Sequence, residues 1–323
     1  MKVVLGTMTF GTGVGGRLNV EEKIKDILIE FKKYGDELDT ARMYCDGNTE
    51  EVLGAMGVSK EPFNFKIATK VYPALPGMHS PENLKETFSQ SLKALKTNYV
   101  EIFYLHAPDH GTPFAVTLKA VDELYKAGHF KYFALSNFAA WEVMQIYSVC
   151  SIKFLFLIVV LGMYNALTRN VESELFPCIR ELGIKFYAYN PICGGVLSGR
   201  YTLENFGEEI LDGSRFDQNT TQGKRYRERY WNKLYFEAVE DIKKVCAKYK
   251  ISLPDAAHRW LSHHSKLDEK LGDAIIVGVS SLEHAITNLR ASVTEEKLPY
   301  EVVAAFDDFG WDKTKSMSVN YFR

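Results

Sequence analysis

Short segments with β-strand composition alternate with helical segments along the whole chain. Eight strands are predicted, at Val3–Leu5, Glu37–Asp39, Phe65–Thr69, Tyr99–Leu105, Tyr132–Leu135, Phe154–Leu161, Lys185–Tyr189 and Ala274–Val277. The predicted helices are Asn19–Tyr34, Asn48–Met56, Pro81–Leu95, Pro113–Ala127, Ala139–Ser148, Glu172–Leu182, Tyr230–Tyr249 and Pro254–His263. Alternation of this kind is typical of parallel strands joined by helical crossovers.

Eight strands in this order predict an α/β fold, a closed (β/α)8 TIM barrel formed by one domain over residues 1–323. In such a barrel the active site lies at the carboxyl ends of the strands. The longest irregular stretch, about 190–229, follows the seventh strand and is expected to be an active-site loop, with a C-terminal tail at about 310–323. Asn19 and Glu22 resemble a capping box at the start of the first helix.

Composition and net charge exclude several classes of protein. The 323 residues are 46% apolar and 25% charged, which is usual for globular proteins and unlike fibrous or disordered chains. The formal charge of −2 provides no general field for nucleic acid or an anionic membrane, and neither partner is expected. Residues 215–233 nevertheless carry six basic and two acidic side chains, a local charge of +4.

The cysteines and the apolar runs indicate the compartment. Five cysteines, with no CxxC or zinc-type pair, predict a reducing, cytoplasmic location and no metal site. No signal peptide is apparent, because Met1 and Lys2 lead directly into the first strand. The longest apolar run, Phe154–Met163, is shorter than the roughly 20 residues of a spanning helix and is interpreted as core.

A glycine-rich segment after the first strand imitates a nucleotide-binding motif. Residues 11–16 satisfy the pattern GxGxxG, and Asp36 follows about twenty residues later. In a Rossmann unit the strand ends at the first glycine and a helix opens at the loop. Here five residues separate strand and glycine, and the helix begins only at Asn19. A mobile surface loop is therefore favoured over a Rossmann site.

Four ionisable residues stand at or just after three adjacent predicted strands. Asp39 ends the second strand, Tyr44 follows it, Lys70 ends the third and His106 ends the fourth. Each alone has a structural explanation, as a turn cap, a rim aromatic, an exposed cation or a core histidine. In a barrel, however, their side chains converge on one mouth.

Together these four residues suit proton donation to an oxygen. A nearby ammonium is expected to lower the pKa of a tyrosine phenol, and a buried Lys70 needs a counter-ion, which Asp39 supplies. A neutral His106 can donate a hydrogen bond to a carbonyl oxygen. These four residues suit a reaction in which the carbonyl oxygen is protonated while a hydride ion is transferred to the carbonyl carbon. The hydride must come from a cofactor.

The sequence resembles the aldo-keto reductase family over its whole length. The resemblance rests on residues 37–44 (ELDTARMY), 67–70 (IATK), 104–109 (YLHAPD) and 136–138 (SNF), in family order and spacing. The branch of aflatoxin aldehyde and succinic semialdehyde reductases is indicated by residues 162–165 (GMYN), 174–178 (ELFPC), 280–283 (SSLE) and 320–323 (NYFR).

The resemblance implies a role for each matching residue. Tyr44 would be the general acid, tuned by Lys70 and Asp39, and His106 would orient the carbonyl. NADPH/NADP+ would be bound by Asp39, Ser136, Asn137, Tyr189, Asn190, Gly194, Gly195, Leu197, Arg200, Arg215, Ser280, Ser281, His284 and Asn288. The aldehyde substrate would contact Met8, Tyr44, His106, Tyr226, Arg229 and Arg323, the last three holding a distal carboxylate. A homodimer is expected from the resemblance alone.

The chain departs from the family pattern at two positions. Leu161 stands where the family places a glutamine that contacts the nicotinamide amide, after an unusually apolar segment at 152–160. A genuine substitution and an error in the gene model both explain it. His284 replaces the usual glutamine of the branch, and imidazole can also form hydrogen bonds.

Three functions are therefore weighed. The leading prediction is an NADPH-dependent reductase of small aldehydes, including succinic semialdehyde and dialdehydes. A cofactor-binding but catalytically weak scaffold is the alternative suggested by Leu161. A Schiff-base lyase using Lys70 would leave Asp39 unexplained, because a paired ammonium is a poor nucleophile.

Overall fold

The computed structural model describes residues 1–153, 156–210 and 213–323, with eight parallel strands in a closed barrel. The strands are β1 Lys2–Gly6, β2 Glu37–Asp39, β3 Lys66–Val71, β4 Val100–Leu105, β5 Phe130–Ser136, β6 Leu157–Met163, β7 Lys185–Tyr189 and β8 Ala274–Gly278. Each strand pairs with its neighbour in sequence, and β1 closes the ring on β8, with Lys2 opposite Ala274 and Gly6 opposite Gly278. The predicted (β/α)8 TIM barrel is confirmed.

Helices surround the barrel. They are α1 Glu21–Phe31, α2 Asn48–Ala55, α3 Pro81–Ala94, α4 Phe114–Lys126, α5 Ala140–Lys153, α6 Leu175–Glu181, α7 Thr221–Tyr230, α8 Lys233–Lys248, α9 Leu253–His263, α10 Leu282–Val293, α11 Tyr300–Ala305 and α12 Asp312–Thr314. None of the helices in the described ranges is long and apolar enough to cross a membrane.

The core has two layers because alternate strand residues face opposite sides of the sheet. In β4, Ile102 and Tyr104 point into the barrel, where they pack with Val4 and Ala68. The intervening Phe103 belongs to the larger layer between strands and helices. A filled interior leaves the carboxyl ends of the strands as the place where loops can form a cavity.

The polar stretch after β7 contains a helix, so the prediction of an irregular segment over about 190–229 is wrong in part. Thr220 caps α7 by accepting a hydrogen bond from the Gly223 N–H at 2.8 Å. Most side chains of α7 are charged or polar, so the sequence shows no apolar periodicity there. The next helix begins at Lys233 rather than Tyr230, because Trp231 leaves the helical conformation.

Two further local predictions are wrong. The capping box fails because α1 begins at Glu21 after Val20, whose side chain makes no capping bond, so Asn19 lies one residue too early. The sixth strand, predicted from Phe154, begins at Leu157, whereas α5 continues to Lys153. Leu157–Met163 form β6, and hydrophobicity alone does not mark where that strand begins within the apolar run. Phe154 and Leu155 lie outside the described residues.

Candidate active site

The four predicted catalytic residues meet at the carboxyl ends of β2, β3 and β4. The Lys70 ammonium donates hydrogen bonds to Asp39 Oδ1 at 2.6 Å and to the Thr40 carbonyl at 2.8 Å. The Tyr44 hydroxyl lies 3.5 Å from Lys70 Nζ. The His106 ring stands edge-on to Tyr44, with ring centres 5.9 Å apart. The structure therefore brings together the full set that the strand ends suggested.

A strained turn holds Tyr44 over this pair. Cys45 and Asp46, the two residues after it, have positive φ angles of 49° and 55°. Gly47 follows at φ 97°, and a Cβ there would lie 2.1 Å from the Arg42 guanidinium. Arg42 is in turn fixed by an ion pair with the buried Glu50 at 3.0 Å. Arg42 and Glu50 are supporting residues that the motif analysis missed.

The environment of Tyr44 differs from the expectation in one respect. Burial raises the pKa of Tyr44 well above its ordinary value, and the Asp39 carboxylate adds to that rise. From the sequence, the Lys70 ammonium was expected to lower this pKa. In the structure that ammonium is paired with Asp39, so its charge is largely compensated at the phenol. Tyr44 therefore keeps its proton at neutral pH, as a proton donor must.

Burial acts on the other three ionisable groups as well. It raises the pKa of Asp39 and lowers the pKa of Lys70, and their mutual contact opposes both shifts. Burial also lowers the pKa of His106 well below its usual value, helped by the positive charges of Lys70 and Arg323. The imidazole is thus neutral, and its buried Nδ1 has no hydrogen-bond partner among the described residues.

A cavity of about 850 Å³ opens above these groups. It is lined by most of the residues predicted to bind cofactor or substrate, namely Met8, Asp39, Tyr44, His106, Ser136, Asn137, Tyr189, Asn190, Gly194, Gly195, Arg200, Arg215, Tyr226, Arg229, Ser280, His284, Asn288 and Arg323. Three predicted residues do not line it. Lys70 lies buried behind Tyr44, Leu197 packs into the outer core, and Ser281 caps α10.

Asn137 organises the cavity wall next to His106. Its side-chain amide donates to the His106 carbonyl and to Ser136 Oγ, both at 2.9 Å. The Tyr189 hydroxyl donates to Asn137 Oδ1 at 2.7 Å. The left-handed backbone of Asn137, with φ 63°, aims the amide inward. Asn137 therefore links the ends of β4, β5 and β7 in one hydrogen-bonded unit.

The wall formed by the loop after β7 depends on two glycines. Gly194 and Gly195 have φ angles of 67° and 119°. The Tyr226 ring packs directly on Gly194, where a Cβ would lie 2.5 Å from the ring. The Tyr226 hydroxyl donates to Asn190 Oδ1 at 3.1 Å, which ties α7 to the end of β7.

Beyond β8, polar residues cluster at the start of α10. Ser280 Oγ and His284 Nδ1 are 3.0 Å apart, so the imidazole forms a hydrogen bond within this cluster. Ser281 accepts a hydrogen bond from the His284 N–H at 3.1 Å and caps the helix. The Arg215 guanidinium reaches this region, since a Cβ on Gly278 would lie 3.4 Å from its Nη2.

Each of two tyrosine rings in the cavity has two arginine guanidinium groups lying over it. Arg215 and Arg229 lie over the Tyr226 ring, at 5.4 and 5.5 Å from its centre. Arg225 and Arg323 lie over the Tyr72 ring, at 5.7 and 5.9 Å. Motif comparison missed Tyr72 and Arg225. The available signals were the position of Tyr72 two residues after Lys70 and the basic stretch that contains Arg225.

Leu161 occupies the cavity floor near the Asn137 unit. Its carbonyl accepts a hydrogen bond from the Asn137 N–H at 3.2 Å, so β6 supports Asn137 through its backbone. Its side chain is buried and joins the apolar cluster inside the barrel. A glutamine at this position would present an amide to the cavity, and the leucine presents only methyl groups.

The glycine-rich segment after β1 reaches across the mouth rather than forming a Rossmann turn. Gly15 lies so close to Gln222 of α7 that a Cβ would be 2.8 Å from the amide oxygen. The Gln222 amide also approaches Met8 Sδ at 3.9 Å. We call this contact between residues 11–16 and Gln222 the mouth bridge.

A closed parallel barrel with a tyrosine, a lysine–aspartate pair and a neutral histidine at its carboxyl end defines an oxidoreductase that reduces carbonyl compounds. The chain belongs to the aldo/keto reductase family, whose model matches residues 2–310. It is 41% identical over 327 aligned positions to aflatoxin B1 aldehyde reductase member 2 of Rattus norvegicus, covering 99% of this chain and 87% of the relative. The Homo sapiens protein of that name is 41% identical, with 99% and 89% covered.

A third relative, aldo-keto reductase family 7 member A3 of Homo sapiens, is 41% identical over 294 positions, covering 89% of this chain and 88% of the relative. Members of this family use a nicotinamide dinucleotide, and the residues present fit such a group. Gly195 lines the cavity without a side chain to obstruct a phosphate, and Arg215 adds a positive charge beside the polar cluster at α10.

Proposed function

We propose that this protein reduces small aldehydes, among them succinic semialdehyde and dialdehydes, to alcohols with NADPH and with Tyr44 as general acid. The observation that carries the proposal is the buried Lys70–Asp39 pair, with the Tyr44 hydroxyl 3.5 Å from Lys70 Nζ on the wall of the cavity. The relatives named for aflatoxin B1 aldehyde support aldehydes as the substrate class.

The residues divide the work of proton transfer. When bound, the nicotinamide supplies hydride to the carbonyl carbon. Tyr44, protonated because burial raises its pKa, gives its proton to the carbonyl oxygen as negative charge develops there. Lys70 stabilises the phenolate left behind, and Asp39 keeps the ammonium in place. His106, neutral because burial lowers its pKa, orients the oxygen by hydrogen bonding.

The choice of NADPH over NADH rests on the cationic and polar groups after β7 and β8. Arg215, Ser280, His284 and Asn288 surround one end of the cavity. Guanidinium and hydroxyl groups bind a phosphate monoester well. We therefore expect the adenosine 2′-phosphate to be held there, and KM to be at least about 10-fold lower for NADPH than for NADH, because charge-assisted hydrogen bonds of this kind are strong.

The five cysteines are thiols rather than disulfides, which supports the proposed cytoplasmic location. The homodimer stays a prediction based on the resemblance to the family, and the single domain over residues 1–323 stays a prediction based on the series of strands.

An assay of the wild type and Tyr44→Phe tests the proposal. NADPH oxidation is followed with succinic semialdehyde, and kcat should fall about 10²- to 10⁴-fold in the variant, because the ring stays and only the acid is lost. Tyr249→Phe, at the partly exposed end of α8, is the matched control and should retain full activity.

A folded wild type that turns over no aldehyde would overturn the proposal. Tight NADPH binding in that case would indicate the scaffold alternative.

A further inference from the structure

Tyr72, Arg225 and Arg323 form a cationic patch beside the carbonyl-binding histidine. Arg323 Nη1 donates a hydrogen bond to the Tyr72 hydroxyl at 3.2 Å, and both guanidinium groups lie over the Tyr72 ring. The same ring stands edge-on to His106, with centres 5.5 Å apart. All four side chains line the cavity. Each guanidinium is thus only one aromatic ring away from His106.

Three separate parts of the chain build this patch. Tyr72 directly follows β3, Arg225 lies in α7, and Arg323 is anchored by its backbone N–H, which donates to the Asn137 carbonyl at 3.1 Å. The segment before Arg323 is held by Tyr321, whose hydroxyl donates to Glu174 at 2.6 Å. The positions of the residues in this patch are therefore fixed by backbone and buried contacts, and not by the two arginine side chains alone.

The two guanidinium groups of the patch have no side-chain counter-ion among the described residues. In the parts of the chain that the structure describes, no carboxylate oxygen lies within 4.0 Å of Arg225 or Arg323 among the ion pairs observed. Both cations act on His106 and help to lower its pKa. Two unpaired cations on one ring repel each other, and an anion between them relieves that repulsion.

We propose that Tyr72, Arg225 and Arg323 form a subsite for a phosphate monoester at the end of a short aldehyde. The inference rests on the proposed function and names the substrate class of that site. A carboxylate carries one charge and pairs well with one guanidinium fork. A phosphate monoester carries nearly two charges near pH 7 and presents three oxygens, so it satisfies both forks. The short distance to His106 limits the carbon chain between carbonyl and phosphate.

This subsite is distinct from the Tyr226 pair. Arg215 and Arg229 lie over the Tyr226 ring, whose hydroxyl is bonded to Asn190 at the end of β7. Arg225 and Arg323 lie instead over the ring that contacts His106. The substrate's anionic end should therefore depend more on Arg225 than sequence motifs indicate.

Glyceraldehyde and glyceraldehyde 3-phosphate provide a matched pair of substrates, because they share the reacting carbonyl and differ in the phosphate. In the wild type, kcat/KM should be at least about 10-fold higher for the phosphorylated aldehyde, through a lower KM. Arg225→Gln should reduce this ratio at least about 5-fold, through a higher KM for the phosphorylated aldehyde. Lys224→Gln removes the same charge from an exposed neighbour outside the cavity and should keep the wild-type ratio.

A binding measurement separates this inference from the proposed function. Calorimetric titration of the NADP+-saturated protein with glycerol 3-phosphate should show binding that Arg225→Gln weakens at least about 5-fold, while glycerol shows none. Turnover of glyceraldehyde without any phosphate preference would overturn the subsite and leave the reductase intact. If no aldehyde is reduced, the proposed function fails, and the titration alone then decides whether the phosphate subsite exists. An equal effect of Arg225→Gln on succinic semialdehyde would overturn the selectivity for phosphate.

Discussion

The protonation states of Tyr44 and His106 lead to a prediction about pH. Burial raises the pKa of Tyr44 and lowers the pKa of His106, so neither group changes its predominant protonation state between the ordinary values of the two side chains, about 6.5 and about 10. The kcat/KM for aldehyde reduction should be flat over this range and fall only at higher pH. Alcohol oxidation, which needs the phenolate, should rise with pH over the same range. Steady-state rates in both directions provide the test, and an acid limb near pH 6.5 would contradict a neutral His106.

A second prediction for a single residue concerns Leu161. Leu161→Gln should lower KM for NADPH about 2- to 10-fold, because one added hydrogen bond contributes about 0.5–1.5 kcal/mol. Cofactor titrations of the variant beside Leu161→Met, which keeps an apolar side chain of similar volume, measure the effect. A higher KM in a folded Leu161→Gln protein would show that the cavity does not need the amide.

Single residues were predictable where their role follows from position on a strand. Asp39, Lys70 and His106 adjoin strand ends, so barrel geometry alone is enough to place them together. Tyr72 and Arg225 lack such a signal, because their relation depends on a ring and a guanidinium meeting across the mouth. The pKa of Tyr44 was equally inaccessible, since it depends on burial and on how completely Asp39 compensates Lys70.

At the level of elements, Asp109 ties together the loops after β3 and β4. Its carboxylate accepts hydrogen bonds from the N–H groups of Gly77 at 3.0 Å, His79 at 2.8 Å and Gly111 at 2.9 Å, and from Thr112 Oγ1 at 2.9 Å. Burial alone would raise the pKa of Asp109, but these donors hold it below its ordinary value. The carboxylate therefore fixes two of the loops that shape the cavity.

Asp109→Ala should lower the free energy of unfolding by about 2–4 kcal/mol at pH 7, since it leaves several donors without a partner. Because the folded-state pKa is depressed, this stability is present above the unfolded value of about 3.9 and is lost as pH falls through the folded value. The difference between wild type and variant should therefore shrink at acid pH. Urea unfolding at two pH values tests this, with Asp26→Ala, on the exposed face of α1, as control.

Elements were predictable where apolar patterning defines them. All eight strands and their order follow from buried β-rich segments, and the closed barrel follows from their number. The helix α7 was missed because it is held by the Thr220 cap and by contacts of Tyr226, not by an apolar stripe. The start of β6 was misplaced because hydrophobicity alone does not mark where a strand begins within an apolar run.

For the molecule as a whole, a formal charge of −2 conceals a strongly basic mouth. The described residues that line the cavity include seven arginines but only two carboxylates, Asp39 and Asp46. The positive electrostatic potential inside this cavity attracts anionic ligands and weakens as salt is added. Charge at the mouth should therefore govern association more than the net charge does.

Raising NaCl from about 50 mM to about 500 mM should increase KM about 3- to 10-fold for NADPH and for succinic semialdehyde. KM for an uncharged aldehyde such as benzaldehyde, at saturating NADPH, should change less than about 2-fold and serves as the control. Equal salt effects on charged and uncharged aldehydes would indicate a general change in the protein rather than screening at the mouth.

The mouth bridge has a consequence for the timing of turnover. Residues 11–16 and Gln222 belong to segments that start from β1 and β7, and their contact spans the entrance between them. We expect a ligand lying beneath the bridge to leave more slowly while the two segments are in contact, whatever the speed of the chemistry below. The residence time of such a ligand should therefore depend on a few loop contacts, and glycine at position 15 keeps those contacts close.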